Sequence, residues 1–114
     1  MLLFKKEFII PIIKGEKWQT RRLKKPRVRV GGVYACRVNR YRGEPFAFVK
    51  IKDIRRQRLS EITDDEVKAE GMKSREEFLE IFRNIYGISP HDDPIVWVIE
   101  FELVDANPKF MIGD

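Results

Sequence analysis

The spacing of apolar and polar positions changes period several times along the chain, and each change marks an element. Leu2 to Phe4 reads as a short strand. Phe8, Ile9, Ile12 and Ile13 then recur at helical spacing, which predicts a short helix ending at Lys14, with Pro11 tolerable only in its first turn. Gly15 can take positive φ at that helix end, so Lys17 falls in a turn and a strand starts near Trp18. Leu23 to Gly32 reads as a mobile basic loop punctuated by Pro26 and the Gly31-Gly32 pair. Val33 to Asn39 and Phe46 to Ile54 read as the two strands of a hairpin whose turn carries Gly43. In the second strand Ala47, Val49 and Ile51 alternate with Phe48, Lys50 and Lys52, so one face is apolar while the other turns basic.

Past Arg55-Arg56-Gln57-Arg58 the pattern becomes helical. Thr63 with Glu66 and Ser74 with Glu77 have capping-box spacing, and Gly71 suits the position after a helix ending at Glu70. The second of these helices is expected to reach about Tyr86. Its Phe78, Ile81, Phe82 and Ile85 form one apolar stripe, which reads as core rather than as a cofactor box. After a loop from Ile88 to Pro94, Trp97, Ile99, Phe101 and Leu103 alternate with Val98, Glu100 and Glu102 in the clearest half-buried strand. Asp105 to Asp114 reads as a loosely docked tail. Several strands with short helices between them predict an α+β domain spanning residues 1–114, a small β-barrel or strongly curved sheet flanked by helices.

Composition narrows this picture. At 114 residues and 43% hydrophobic content the chain can bury a core without disulfides or metal. Cys36 is the one cysteine, so it forms no internal disulfide and is expected as a buried thiol in a reducing, cytoplasmic setting. No apolar run approaches the roughly 20 residues needed to span a bilayer, and no export signal is read. Charge divides along the chain: Lys14 to Arg58 carries 16 Lys/Arg against three Asp/Glu, whereas from Leu59 onward 14 Asp/Glu face five Lys/Arg. Such a division suits a phosphate-binding face, unless the two halves neutralise each other in space.

The candidate chemistry gathers at Gly15-Glu16-Lys17-Trp18-Gln19-Thr20-Arg21-Arg22. Strand alternation puts Trp18, Thr20 and Arg22 on one face and Gln19 and Arg21 on the other, a set suited to an anionic or heteroaromatic ligand. Glu70 is the second candidate. A carboxylate in the last turn of a helix meets the negative end of the macrodipole, so it either stays exposed at small cost or pairs with Lys17 or Arg22. Lys17 can serve Thr20 as general base if burial or cationic neighbours lower its pKa, although a solvated lysine beside a strand threonine is the plainer reading. His91 has no second histidine or cysteine nearby, so no metal site is expected, and no cofactor motif is present.

The chain resembles the ASCH domain, a small relative of the PUA fold. The resemblance rests on the Gly15 to Arg22 stretch, which is similar to that family's Gly-x-Lys-x-x-Thr-x-Arg signature, on Ala69-Glu70-Gly71-Met72 ahead of a helix, and on Trp97-Val98-Ile99-Glu100-Phe101. It implies a PUA-like β-barrel with short helices around it and a cleft lined by the signature. It further implies binding of RNA or a modified nucleoside, with Trp18, Arg21, Arg22, Lys24, Lys25 and Arg27 as ligand contacts. Some similar small bacterial members hydrolyse the amide of N4-acetylcytidine, and by motif their roles fall on Thr20 as nucleophile, Lys17 as base and Glu70 as the third member. A protein-interaction module with no ligand of its own, using the acidic helices, is the remaining alternative.

Overall fold

The structure, a computed structural model, describes residues 1–111. Five strands form one mixed sheet: β1 (Leu2–Leu3), β2 (Gln19–Arg22), β3 (Val33–Arg37), β4 (Ala47–Arg58) and β5 (Ile95–Ala106), in spatial order β1-β3-β4-β5-β2. Three helices complete it: α1 (Ile9–Ile13), α2 (Asp64–Ala69) and α3 (Arg75–Tyr86). Every strand pair is antiparallel except β1 with β3. The long β4–β5 ladder shifts register between Phe48 and Val49 and again between Ile51 and Asp53, and such bulges bend and twist a strand pair. The sheet therefore curls into a half-barrel, with β1 and β2 as its two free edges.

The curl closes around an aromatic and aliphatic centre. Phe46, Val49, Ile51, Val98 and Ile99 are wholly buried, and the Phe4 ring packs 6.2 Å from Phe46 and 6.0 Å from Phe101. Cys36 is buried among them, and burial pushes its thiol up to about 12. The helix signals act as expected. The Thr63 hydroxyl accepts from the Glu66 amide and Glu66 reciprocates, and the Ser74 hydroxyl accepts from the Glu77 amide. Lys14 ends α1, after which Gly15 takes φ 76° and the amides of Glu16 and Lys17 both donate to the Pro11 carbonyl.

Three expectations are corrected. The second hairpin strand does not end at Ile54; β4 runs through Arg58, because Arg55 to Arg58 pair in register with Val98 to Ile95, the Arg55 charge being met by Glu66 and Glu100 and Arg56 lying against the Trp97 ring. The basic loop is tethered: Val28 is buried, and Gly31 and Gly32 extend the ladder through hydrogen bonds with Ile51. The tail from Asp105 is docked. β5 continues to Ala106, Asn107 bonds the backbone of Pro45 and Phe46, and a 3-10 turn over Pro108–Met111 sets Phe110 6.3 Å from Phe46. The last three positions of that predicted tail lie outside the described residues.

Residues directly opposite across strands share a face. Gln19, Glu100 and Asp53 form one such row and Arg21, Val98 and Arg55 the next, both on the face that meets α2. The intervening rows, Thr20–Ile99–Ile54 and Arg22–Trp97–Arg56, lie on the opposite face. The edge strand β2 thus presents different chemistry to its two sides.

Candidate functional site

The turn after α1 is stitched to the end of α2. The Trp18 amide donates to the Ala69 carbonyl, and Gly71 takes φ 85° directly beneath Lys17. A Cβ at Gly71 would stand 3.2 Å from Lys17 Cβ and 3.6 Å from Pro11 Cβ, so both its conformation and the close approach call for glycine. Lys17 is buried by this arrangement. Its Nζ donates to the Gln19 carbonyl (3.0 Å), the Glu70 carbonyl (2.8 Å) and Glu70 Oε1 (2.9 Å), and lies 4.6 Å from the Phe8 ring centroid. The lysine thereby answers both the Glu70 carboxylate and the unpaired carbonyl at the negative end of α2.

Glu70 pairs with Lys17 and with Arg21, not with Arg22. Arg21 Nη1 donates to Glu70 Oε2 and to Gln19 Oε1, both at 2.9 Å, while Nη2 donates to Glu66 Oε2 at 2.7 Å and to Gln57 Oε1 at 3.0 Å. Arg55 joins the same network, meeting Glu66 and Glu100, and Gln19 Nε2 donates to Glu100 Oε1. Burial by itself would raise the Glu66 carboxyl, but the Thr63 amide, the Gln57 side chain and the Arg21 charge outweigh it and hold it at about 2. For Lys17 the largest influence is burial, which lowers its pKa from the ordinary lysine value against the pull of Glu70. Its three acceptors match the three N–H groups of an ammonium.

On the other face Arg22 takes a different position. Its Nε donates to Thr20 Oγ1 (3.1 Å) and one Nη donates to the Leu3 carbonyl of β1 (2.8 Å), so its side chain bridges the two free edges of the sheet. The guanidinium lies 4.9 Å from the Phe4 ring centroid. Among the described residues, its Nη1 has no hydrogen-bond partner and Thr20 Oγ1 donates to none.

A cavity of about 110 Å³ opens at this seam. Its walls include Phe4, Phe8, Phe78, Phe82 and Tyr86, and Thr20, Arg21 and Arg22 reach it from β2, Lys17 from the turn before that strand and Glu70 from the C-cap of α2. Beside it, sharing Leu3 and Arg22, lies a groove of about 500 Å³ lined also by Lys25, Arg27 and Arg40. Burial raises the Tyr86 phenol, opposed by the neighbouring Arg22 charge.

Lys17, Thr20 and Glu70 are thus brought to one cavity, with Arg22 beside Thr20. Of the other expected ligand contacts, Arg21 borders the cavity with no nitrogen to spare, and Trp18 and Lys24 fall elsewhere. Arg21 is buried, and every nitrogen of its guanidinium is held by protein acceptors, because its face of β2 meets α2. Trp18 does not join Thr20 and Arg22; it is 44% exposed in a separate hollow with Lys52 and Leu103, since its backbone lies where the turn crosses to α2. Lys24 is exposed and lines neither cavity nor groove, whereas Lys25 and Arg27 line the groove. The α3 stripe read as core is also a wall of the cavity, through Phe78, Ile81, Phe82 and Ile85. Phe4, Phe8 and Tyr86 carried no sequence signal for the site, and Arg40 was marked only as a turn residue.

A family model described as the ASCH domain matches residues 3–105. Among solved structures, the ASCH domain from Lactobacillus crispatus JV V101 superposes with a TM-score of 0.68 at 19% identity, over 85% of this chain and 70% of that one. The ASCH protein from Zymomonas mobilis gives 0.64 at 12% identity, over 96% and 73%. The hypothetical protein PH0355 gives 0.67 at 23% identity, over 90% and 96%. Among curated proteins none matches the sequence. The α+β half-barrel is the PUA-like fold of these neighbours.

Proposed function

The chain belongs to the ASCH domain family, and from that premise we propose that it binds RNA or a modified nucleoside, the base entering the aromatic cavity and the phosphates meeting the basic groove. The observation that supports this reading is the place of Arg22, which lines both spaces and keeps one Nη free of protein partners among the described residues. The cavity is smaller than the roughly 300–1,000 Å³ common for small-molecule sites, so it takes only a small planar part of a ligand. Its aromatic walls favour a flat heterocycle, while Thr20, Tyr86 and Arg22 offer hydrogen bonds at the rim. The groove supplies Arg22, Lys25, Arg27 and Arg40 for phosphates.

The test is the affinity for a single-stranded RNA oligomer as a function of salt. Four phosphate contacts, at about 0.7 each for a single strand, give a log–log slope near −3. Affinity that does not change with salt would remove the phosphate role.

A second reading, an amidohydrolase acting on an acylated nucleobase, is favoured by the convergence of Thr20, Lys17 and Glu70 on the same cavity. In that reaction Thr20 Oγ1 would attack the acyl carbonyl, the C–N bond would break, the amine would leave carrying the threonine proton, and water would release the acyl group. Lys17 is poorly disposed as the base in this arrangement. All three of its N–H groups are committed, and accepting a proton from Thr20 would first require losing one to solvent or ligand. Release of cytidine from N4-acetylcytidine by the parent chain and not by Thr20→Ala would establish hydrolysis nonetheless; no release by the parent leaves binding.

A further inference from the structure

We propose that the ligand is a single-stranded nucleic acid longer than one nucleotide, and that its continuation beyond the cavity is held at Trp97 by Lys25 and Arg56. This rests on the reading of the cavity and groove given above and narrows it from nucleoside or RNA to a polymer.

Arg22, Trp97 and Arg56 stand directly opposite one another on β2, β5 and β4, so they lie in one row on one face. At the strand spacing of about 4.8 Å, the backbones of Arg22 and Arg56 are roughly 10 Å apart. Their guanidinium groups do not converge to close that gap. Arg22 is turned toward Leu3, Thr20 and the Phe4 ring, while Arg56 lies 5.3 Å from the Trp97 ring centroid. Lys25 reaches the same indole from the loop, its Nζ 5.5 Å from the centroid, and it also lines the groove. One half-buried tryptophan therefore carries two cations, and among the described residues neither has a carboxylate within ion-pair distance. The groove and the Trp97 platform form one basic track leading away from the cavity.

Three properties of the track select its occupant. Unpaired cations in a line suit a polymer of phosphates, and an indole among them suits bases that stack, the combination used for single strands. A duplex fits poorly, because the cavity at the end of the track would demand that a base first leave its stack. An acidic peptide would satisfy the cations but would make no use of the ring or of the aromatic cavity.

Affinities of uridine monophosphate, an octauridylate and an octaglutamate decide the matter. The octauridylate is expected to bind at least tenfold more tightly than the monophosphate and the octaglutamate to compete weakly. Arg56→Ala is expected to lose most of that gain, to reduce the octauridylate salt slope by about 0.7, and to leave the monophosphate affinity unchanged, with Arg56→Lys restoring the slope. Trp97→Leu, if it folds, should weaken the octamer in the same way, and Arg56→Ala carries the test if it does not. Equal affinity for monomer and octamer, an octamer indifferent to Arg56→Ala, or octaglutamate competing as well as RNA would each overturn the polymer track while leaving the cavity reading intact. If neither monomer nor octamer binds, the proposed function falls and the track with it.

Discussion

Two groups of cations lie side by side at β2 and are treated in opposite ways. Lys17, Arg21 and Arg55 are matched to Glu70, Glu66 and Glu100 in a network closed over by α2, and no nitrogen of Lys17 or of the Arg21 guanidinium is left over. Arg22, Lys25, Arg27, Arg40 and Arg56 have no carboxylate within ion-pair distance among the described residues; where they are held, it is by a carbonyl, a hydroxyl or an aromatic ring. The basic and acidic halves of the sequence do neutralise each other, but only on one face of the sheet. Charge on the neutralised face holds the architecture together, and charge on the other face stays available to a ligand.

The sharpest way to break that contrast is Glu70→Ala, which leaves the buried Lys17 with no carboxylate and the buried Arg21 with Glu66 alone. Removing one partner of a buried pair costs about 3–5 kcal/mol, so a loss of that size is expected in urea unfolding, with much of it recovered in the double variant Lys17→Met/Glu70→Leu. A loss no greater than that of an exposed pair would mean the network is solvated. Arg22→Ala should behave in the reverse manner: stability falls less than in Glu70→Ala, while RNA affinity falls about tenfold, or about 1.4 kcal/mol, by calorimetric titration. Equal affinity with and without the guanidinium would erase the distinction between the two faces.

Acid provides a milder probe of the paired face. The Glu66 carboxyl is held at about 2 in the folded chain, below its ordinary value of 4.5, so it binds its proton more readily when unfolded. Its contribution to stability is complete above about pH 4.5 and is lost as pH falls through about 2. The unfolding free energy of the Glu66→Gln variant should accordingly lack that part of the acid dependence, as measured by chemical denaturation between pH 2 and pH 6. The smallest effect belongs to Lys109→Ala. Its pairing with Glu44 is exposed, and no shift in melting temperature beyond experimental error is expected.

Much of the paired face was legible in the sequence. The position of Glu70 at a helix end, against the macrodipole, demanded a cation, and Lys17 supplies it. Choosing between Arg21 and Arg22 was beyond the pattern, because alternation assigns residues to two sides of a strand without saying which side meets a helix. The periodicity of α3 was likewise plain from Phe78 to Ile85, yet a hydrophobic stripe reports only that a face is turned inward; whether that face meets packed atoms or a small cavity depends on Phe4, Phe8 and Tyr86, far apart along the chain. Arg55 to Arg58 gave no sign of belonging to the strand for a related reason. Four polar residues in a row carry no strand signal until Val96, Trp97 and Val98 are laid against them.

The ion pair between Lys17 and Glu70 spans 53 positions, which bears on how the chain is made. Synthesis delivers the N-terminal part first. When residue 58 has just emerged, 16 of the lysines and arginines between positions 14 and 58 are present with three acids among them, and the carboxylates of Glu66 and Glu70 do not yet exist. α2, at six residues, is too short to persist without its docking site, so it forms only as it closes on β2. The nascent chain accordingly passes through a strongly polycationic stage, until one short helix arrives with the carboxylates that pair Lys17, Arg21 and Arg55.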